Sequence, residues 1–154
     1  MDAGRTIGQL GALTISLIIP AFNEERLLAR TLAAVNAGRA AFTKPGWSAQ
    51  LIVCDNNSTD RTAEIARAAG ATVVFEPVNQ IARARNTGAA AATGDWLLFI
   101  DADSLPEAAL FAEVVDQIQS GRCLAGGFRA ARRGRVGGIH ESLRAGSVRD
   151  RSEN

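Results

Sequence analysis

In the stretch LLFIDADSLP, an apolar run, Leu97 to Ile100, leads directly into two carboxylates one residue apart, Asp101 and Asp103. In extended backbone, residues two apart point to the same side. Each carboxylate then raises the pKa of the other unless a cation sits beside them. A hard divalent ion resolves that repulsion: Mg2+ takes one or two protein carboxylates and completes its shell with water and phosphate oxygens. The chemistry indicated is a metal-bridged phosphate. Taken alone, an Asp-x-Asp pair is common, and Asp103 or Ser104 capping a helix that opens near Pro106 accounts for it equally well.

Other polar residues change the balance. Asp55 closes a second apolar run and is followed by Asn56, Asn57, Ser58 and Thr59. Its carboxylate suits hydrogen bonds from a base or a ribose, while Asn57 or Ser58 capping the next helix is the plainer role. Asn23 and Glu24, after the first apolar run, admit the same two roles. Arg83 and Arg85 carry the guanidinium geometry that fits a diphosphate, or are simply two solvated charges on a helix. There is no GxxxxGK[ST] and no GxGxxG after the first run, so a glycine loop is not what holds the phosphate. Metal and arginine would have to do so.

The elements that must position these residues alternate regularly. ISLIIP, Ile15 to Pro20, reads as a buried strand stopped by proline. The stretch NEERLLARTLAAVNAG reads as a helix, with Leu27, Leu28, Leu32 and Val35 at helical spacing and Gly38 as its C-cap. LIVC, Leu51 to Cys54, is a second strand. The segment after it supplies cap residues, an acidic first turn at Asp60 and a helix ending at Gly70. Ala71 to Phe75 is a third strand, and NQIARARNTGAAAATG a helix to Gly94 that Gly88 weakens. DWLLFI is a fourth strand, buried on both faces. Pro106 opens a fourth helix through about Gln119, and CLAGGF is a candidate fifth strand. Repeated strand–helix units with apolar strands predict an α/β fold: a mostly parallel sheet with helices on both faces. Right-handed crossovers bring the strand ends to one edge, where such sheets bind ligands.

The blocks SLIIPAFNEE, LIVCDNNSTDRTAEIA and ARARNTGAAAATGDWLLFIDADSLP, in this order and spacing, resemble the family 2 glycosyltransferases. These are nucleotide-sugar enzymes of the Rossmann-like GT-A fold, and the likeness runs from about Ile15 to Gly127. The resemblance implies that Pro20, Phe22, Asn23, Glu24 and Asp55 line a nucleoside pocket. It places Arg85 and Asn86 near the sugar-nucleotide, Asp101 by the ribose and diphosphate, and Asp103 on Mn2+ or Mg2+. The implied partners are a nucleoside-diphosphate sugar, foremost a UDP-sugar, and an acceptor hydroxyl of unknown identity. The implied reaction is glycosyl transfer with a metal on the leaving diphosphate, and in inverting members a carboxylate general base.

The 154 residues suit one domain. Three segments are expected: an arm over 1–13, the nucleotide-sugar-binding domain over 14–127, and an Arg/Gly-rich tail over 128–154. The tail holds 7 Arg against 3 acidic residues, whereas residues 1–127 hold 10 Lys+Arg against 13 Asp+Glu. It departs from the family pattern, being disordered, truncated or frame-shifted, and no general base is assignable in it: neither Glu141, Asp150 nor His140 sits in a matching context. The net charge of +1 does not suggest nucleic acid. Cys54 and Cys123 form no framework and read as free thiols of a reducing compartment. With neither a signal peptide nor an apolar run of about 20 residues, the chain reads as cytoplasmic, with peripheral contact at the inner face of a membrane left open. The competing function is a nucleotide-sugar binding module, or a remnant, without transfer. A nucleotidyltransferase ranks below both, because AFNEERLL lacks the glycine-rich basic stretch expected after the first strand.

Overall fold

A computed structural model describes residues 11–121. Four parallel strands, β1 (Thr14–Ala21), β2 (Ser48–Asp55), β3 (Thr72–Phe75) and β4 (Trp96–Phe99), form one sheet in the order β3-β2-β1-β4. They alternate with helices α1 (Leu28–Gly38), α2 (Thr62–Ala68), α3 (Ile81–Ala90) and α4 (Ala108–Gln119), and a 3-10 turn (Arg39–Thr43) follows α1. The α/β fold expected from the sequence is the one observed. The candidate strand CLAGGF, Cys123 and the tail lie outside the described residues.

Two faces of the sheet are covered differently. On one, Ile15, Leu17 and Ile19 of β1 and Leu51 and Val53 of β2 pack with Leu28, Leu32, Val35, Phe42, Ala66, Phe111, Val115 and Ile118. On the other, α3 packs its buried Ala84 and Gly88 toward Ile18 and Cys54. A Cβ at Gly88 would stand 2.5 Å from Cγ2 of Ile18, so the glycine that weakened the helix in the sequence is what lets the helix approach the sheet.

Several local expectations are corrected. α1 begins at Leu28, not Asn23, because Asn23 has φ +51 and cannot belong to a right-handed helix. Gly38 does not cap it: φ there is −69 and the chain continues into the 3-10 turn. Gly38 is glycine because its position abuts the Phe111 ring. α3 ends at Ala90, short of Gly94. β4 is not buried on both faces; among the described residues it is an edge strand paired only to β1, with Leu97 44% and Phe99 39% exposed on the α3 side.

Candidate functional site

The chain steps from β1 outward to β2 and β3, then returns to the other flank of β1 as β4. The crevice at such a reversal, at the carboxyl ends of the strands, is where open α/β sheets take ligands. Asp55, Glu76 and the residues after Ala21 and Phe99 all lie along that edge.

Pro20 shapes the edge. The even-numbered residues of β1 turn their backbone groups to β4: Asp95 donates its amide to the Thr14 carbonyl and Ile100 donates to that of Ile18. The next rung of a parallel ladder would run from residue 20 to the Ile100 carbonyl, and Pro20 has no N–H to give. The proline therefore does not stop β1, which runs on to Ala21 against β2; it stops the pairing of β1 with β4. Released there, the chain turns. The Ser104 amide (3.1 Å) and hydroxyl (2.7 Å) both donate to the Asp101 carbonyl. Asp101 and Asp103 consequently ride a turn, exposed on either side of buried Ala102, rather than the extended backbone expected.

Thr31, buried on α1, holds this turn from below. Its hydroxyl lies 2.7 Å from both the Ala102 and the Ser104 carbonyls. The contact spans more than 70 residues of sequence, and nothing in the local pattern of α1 marks it. On the other side of the turn, Arg85 donates from Nη2 to Oδ1 of Asp101 at 3.4 Å, and its guanidinium carbon stands 5.8 Å from the centre of the Phe99 ring. Both partners are about half exposed or more, so the pair is worth no more than about 1 kcal/mol and is readily exchanged for another anion. Asn86 is exposed beside Arg85.

The loops after β1 and β2 are tied together. Asn23 accepts the Thr59 amide on its side-chain oxygen (2.8 Å) and donates its own amide to the Ser58 hydroxyl (2.9 Å). The Glu24 amide donates to the Thr62 hydroxyl and the Glu25 amide to the Asp60 carboxylate. The side-chain oxygen of Asn23 is thus spent on structure. Neither Asn57 nor Ser58 caps α2: Asn57 donates to Asn79, Ser58 receives Asn23, and Asp60 accepts the Thr62 amide two residues on. Asp55 is buried and accepts the Ser58 amide on Oδ1 (3.0 Å). Pro20 is buried and Phe22 is 49% exposed, its ring open to solvent above this floor. Partial burial, then the charges of Asp103 and Asp60, push the Glu24 carboxyl above its ordinary range. Glu24 thus lies near enough to Asp103, on a loop some 80 residues further along the chain, to feel its charge.

Glu76 is the site residue the sequence reading left unassigned. It is only 5% exposed at the end of β3. Oε1 accepts the Val78 amide (3.0 Å) and Nε of Arg83 (3.1 Å), and Oε2 accepts the Thr87 hydroxyl (2.7 Å). The Thr87 hydroxyl, followed by the Val78 amide, outweighs burial and holds this carboxyl below its ordinary value, with Arg83 adding to the effect. The available signal was a carboxylate ending an apolar strand just before a proline.

The glycosyl transferase family 2 model matches residues 16–153, a span that includes most of the Arg/Gly-rich segment. An uncharacterized glycosyltransferase of Mycobacterium bovis is 36% identical over 126 residues, covering 82% of this chain and 51% of the relative. Glucosyl-3-phosphoglycerate synthase of M. tuberculosis, solved with Mn2+, UDP and phosphoglyceric acid, superposes with a TM-score of 0.59 at 32% identity, over 79% of this chain and 46% of that one. S. aureus TarS superposes at 0.60 with 24% identity over 70% of this chain and 33% of that one, a likeness of fold. The chain thus spans about half the length of the M. bovis relative. Strand order, the carboxylate turn at the chain reversal and these matches agree: the chain belongs to glycosyl transferase family 2.

Proposed function

We propose that this chain provides the donor site of a glycosyltransferase that moves a sugar from a nucleoside diphosphate, foremost UDP, to an acceptor hydroxyl. The observation that carries the reading is the Asp101–Ser104 turn, which presents two exposed carboxylates at the chain reversal beside Arg85. Asp55 and Glu24 hold the nucleoside from the floor, with Pro20 shaping that floor and Phe22 offering a ring face. Asn23 spends its side-chain oxygen on the shape of the loop, which leaves its NH2 group to offer a ligand. Arg85 and Asn86 face the sugar-nucleotide, and Asp101 serves the ribose and diphosphate.

The donor set fits a divalent cation. Asp103, with Asp101 near it in sequence, offers hard oxygen ligands, the kind Mg2+ and Mn2+ take. Among the described residues no three or more His, Cys, Asp or Glu side chains converge on one point, so an ion held here would have to draw its remaining ligands from water and phosphate. Mn2+ in the M. tuberculosis synthase complex supports the same choice. When bound, such an ion stabilises the charge that builds on the departing diphosphate. Arg85, released from Asp101 by the more highly charged phosphate, adds a second cationic contact. The acceptor and the general base remain unassigned, since Glu141, Asp150 and His140 lie outside the described residues. Among the described residues no helix is long and apolar enough to cross a membrane.

Titration calorimetry of UDP with and without Mn2+ tests the reading. Binding that requires the metal and is lost in Asp103→Asn supports it, whereas equal binding without metal or in the variant overturns it. The second reading is donor binding without transfer, since no general base is assigned among the described residues. Release of UDP from a UDP-sugar, followed over time, separates the two.

A further inference from the structure

α3 carries Arg85 and Asn86, yet almost nothing apolar holds it in place. Its buried residues are Ala84 and Gly88 alone, and its N-terminal residue Gln80 makes no side-chain cap bond. Ile81 and Ala82 are exposed. What fastens the helix is one buried carboxylate outside it. Glu76 takes the Val78 amide in the entry loop, Arg83 in the first turn and Thr87 one turn further on. Its own backbone is pinned in turn: its amide donates to the Asp55 carbonyl, and its carbonyl accepts the Asn56 side chain. Asn56 also donates to the Val78 carbonyl and accepts the Asn79 side chain on its own carbonyl. Glu76 therefore ties α3 to the ends of β2 and β3, and no other described side chain bonds to two successive turns of that helix.

We propose that Glu76 is a positioning residue for the anionic ligand: it locks α3 at the register in which Arg85 stands over Phe99 and reaches Asp101. The assignment rests on the donor-site reading above. Glu76 touches no ligand and acts through Arg85. A carboxylate is needed because both of its oxygens accept, three bonds in all, and Arg83 requires an anionic partner. Glutamine fills the same volume but offers one acceptor oxygen and presents an NH2 group to either Thr87 or Arg83.

The test is a double-mutant cycle on the full chain, with UDP affinity measured in Mn2+ and thermal unfolding measured alongside. If Glu76 works through Arg85, Glu76→Gln and Arg85→Ala each weaken binding by roughly tenfold, and the double variant is no worse than Arg85→Ala alone. A double variant weakened by about a hundredfold, the product of the two, overturns the assignment, as does unchanged affinity in Glu76→Gln. Should Glu76→Gln not fold, Thr87→Val removes one of the three bonds and enters the same cycle, with Thr87→Ser expected to restore affinity. Amide hydrogen exchange supplies a readout that needs no ligand: the α3 amides from Ala84 to Gly88 exchange faster in Glu76→Gln while those of β1 are unchanged. Unchanged exchange in α3 overturns the locking role. Metal-dependent UDP binding by the unmodified chain together with a failed cycle rejects Glu76 alone, whereas no binding by the unmodified chain rejects the donor site and Glu76 with it.

Discussion

The two faces of the sheet are held by different physics. Beneath β1, Leu28, Leu32 and Val35 of α1 and Phe111, Val114, Val115 and Ile118 of α4 form a continuous apolar layer, each such side chain worth about 1.5–3 kcal/mol on burial. Above it, α3 brings only Ala84 and Gly88 to the sheet and relies on the polar fastening at Glu76. β4 leaves Leu97 and Phe99 exposed on that same side. The stable face meets the proposed site only at its rim, through Asp55 at the end of β2 and Glu24 in the loop before α1. Arg85 and Asn86 ride on the lightly packed helix, and the carboxylate turn hangs from the edge strand beside it. Elements that bind and release ligands belong to the low-stability part of a fold, and here α3 and the turn after β4 are the examples.

Cutting into the apolar layer should have the largest effect. Phe111 lies edge-on to Phe42 with ring centres 6.0 Å apart and also meets Gly38. Phe111→Ala should cost about 3–5 kcal/mol and bring down the cooperative transition seen by thermal or urea unfolding. A loss below about 1 kcal/mol would deny that this face dominates stability. On the opposite face, Gly88→Ala forces a methyl group toward Ile18 and should cost about 1–3 kcal/mol. Because that group lifts α3, UDP affinity should fall further than stability alone explains.

Thr31→Val separates the turn from the core that supports it. Removing the one hydroxyl donor that the Ala102 and Ser104 carbonyls share should cost about 1–3 kcal/mol and weaken metal-dependent UDP binding, while Thr31→Ser restores both. The smallest effect is in acid. Because the folded-state pKa of Glu76 lies below its ordinary value of 4.5, its contribution is fully present above about that pH and is lost as the pH falls through the depressed value. Glu24, raised above the same ordinary value, acts in reverse: its cost is present at neutral pH and is relieved as it protonates. Unfolding followed between pH 3 and 7 should show a shallower acid limb in Glu76→Gln than in the unmodified chain; identical limbs would remove Glu76 from the balance.

Much of this was legible in the sequence where a single element carried the information. Ile15 to Ile19 and Leu51 to Val53 read as buried strands and are; Gly70 ends α2 with φ +81 as expected of a terminal glycine. The errors fall where a distant contact overrules the local pattern. Gly38 resembles a C-cap until Phe111, more than 70 residues on, is seen against it. LLFI has the composition of a fully buried strand, but burial depends on what packs over it, and α3 covers β1 and β2 rather than Leu97 and Phe99. The carboxylate pair was legible by type and the turn that carries it was not, because that turn depends on Pro20 lacking an N–H and on Thr31 reaching across from α1. Glu76 was missed for the same reason, since all of its importance lies in the tertiary bonds it accepts.

The central claim is that the Asp101–Ser104 turn and Arg85 form a metal-dependent site for a nucleoside diphosphate. Thermal unfolding of the chain with UDP, with Mn2+, with both, and with both in Asp103→Ala tests it most directly. Ligand at about 100 times its dissociation constant should stabilise the fold by about 2.7 kcal/mol, a rise of several degrees in Tm that needs UDP and metal together and is absent in the variant. A rise of equal size with UDP alone, or one that survives in Asp103→Ala, would contradict the account.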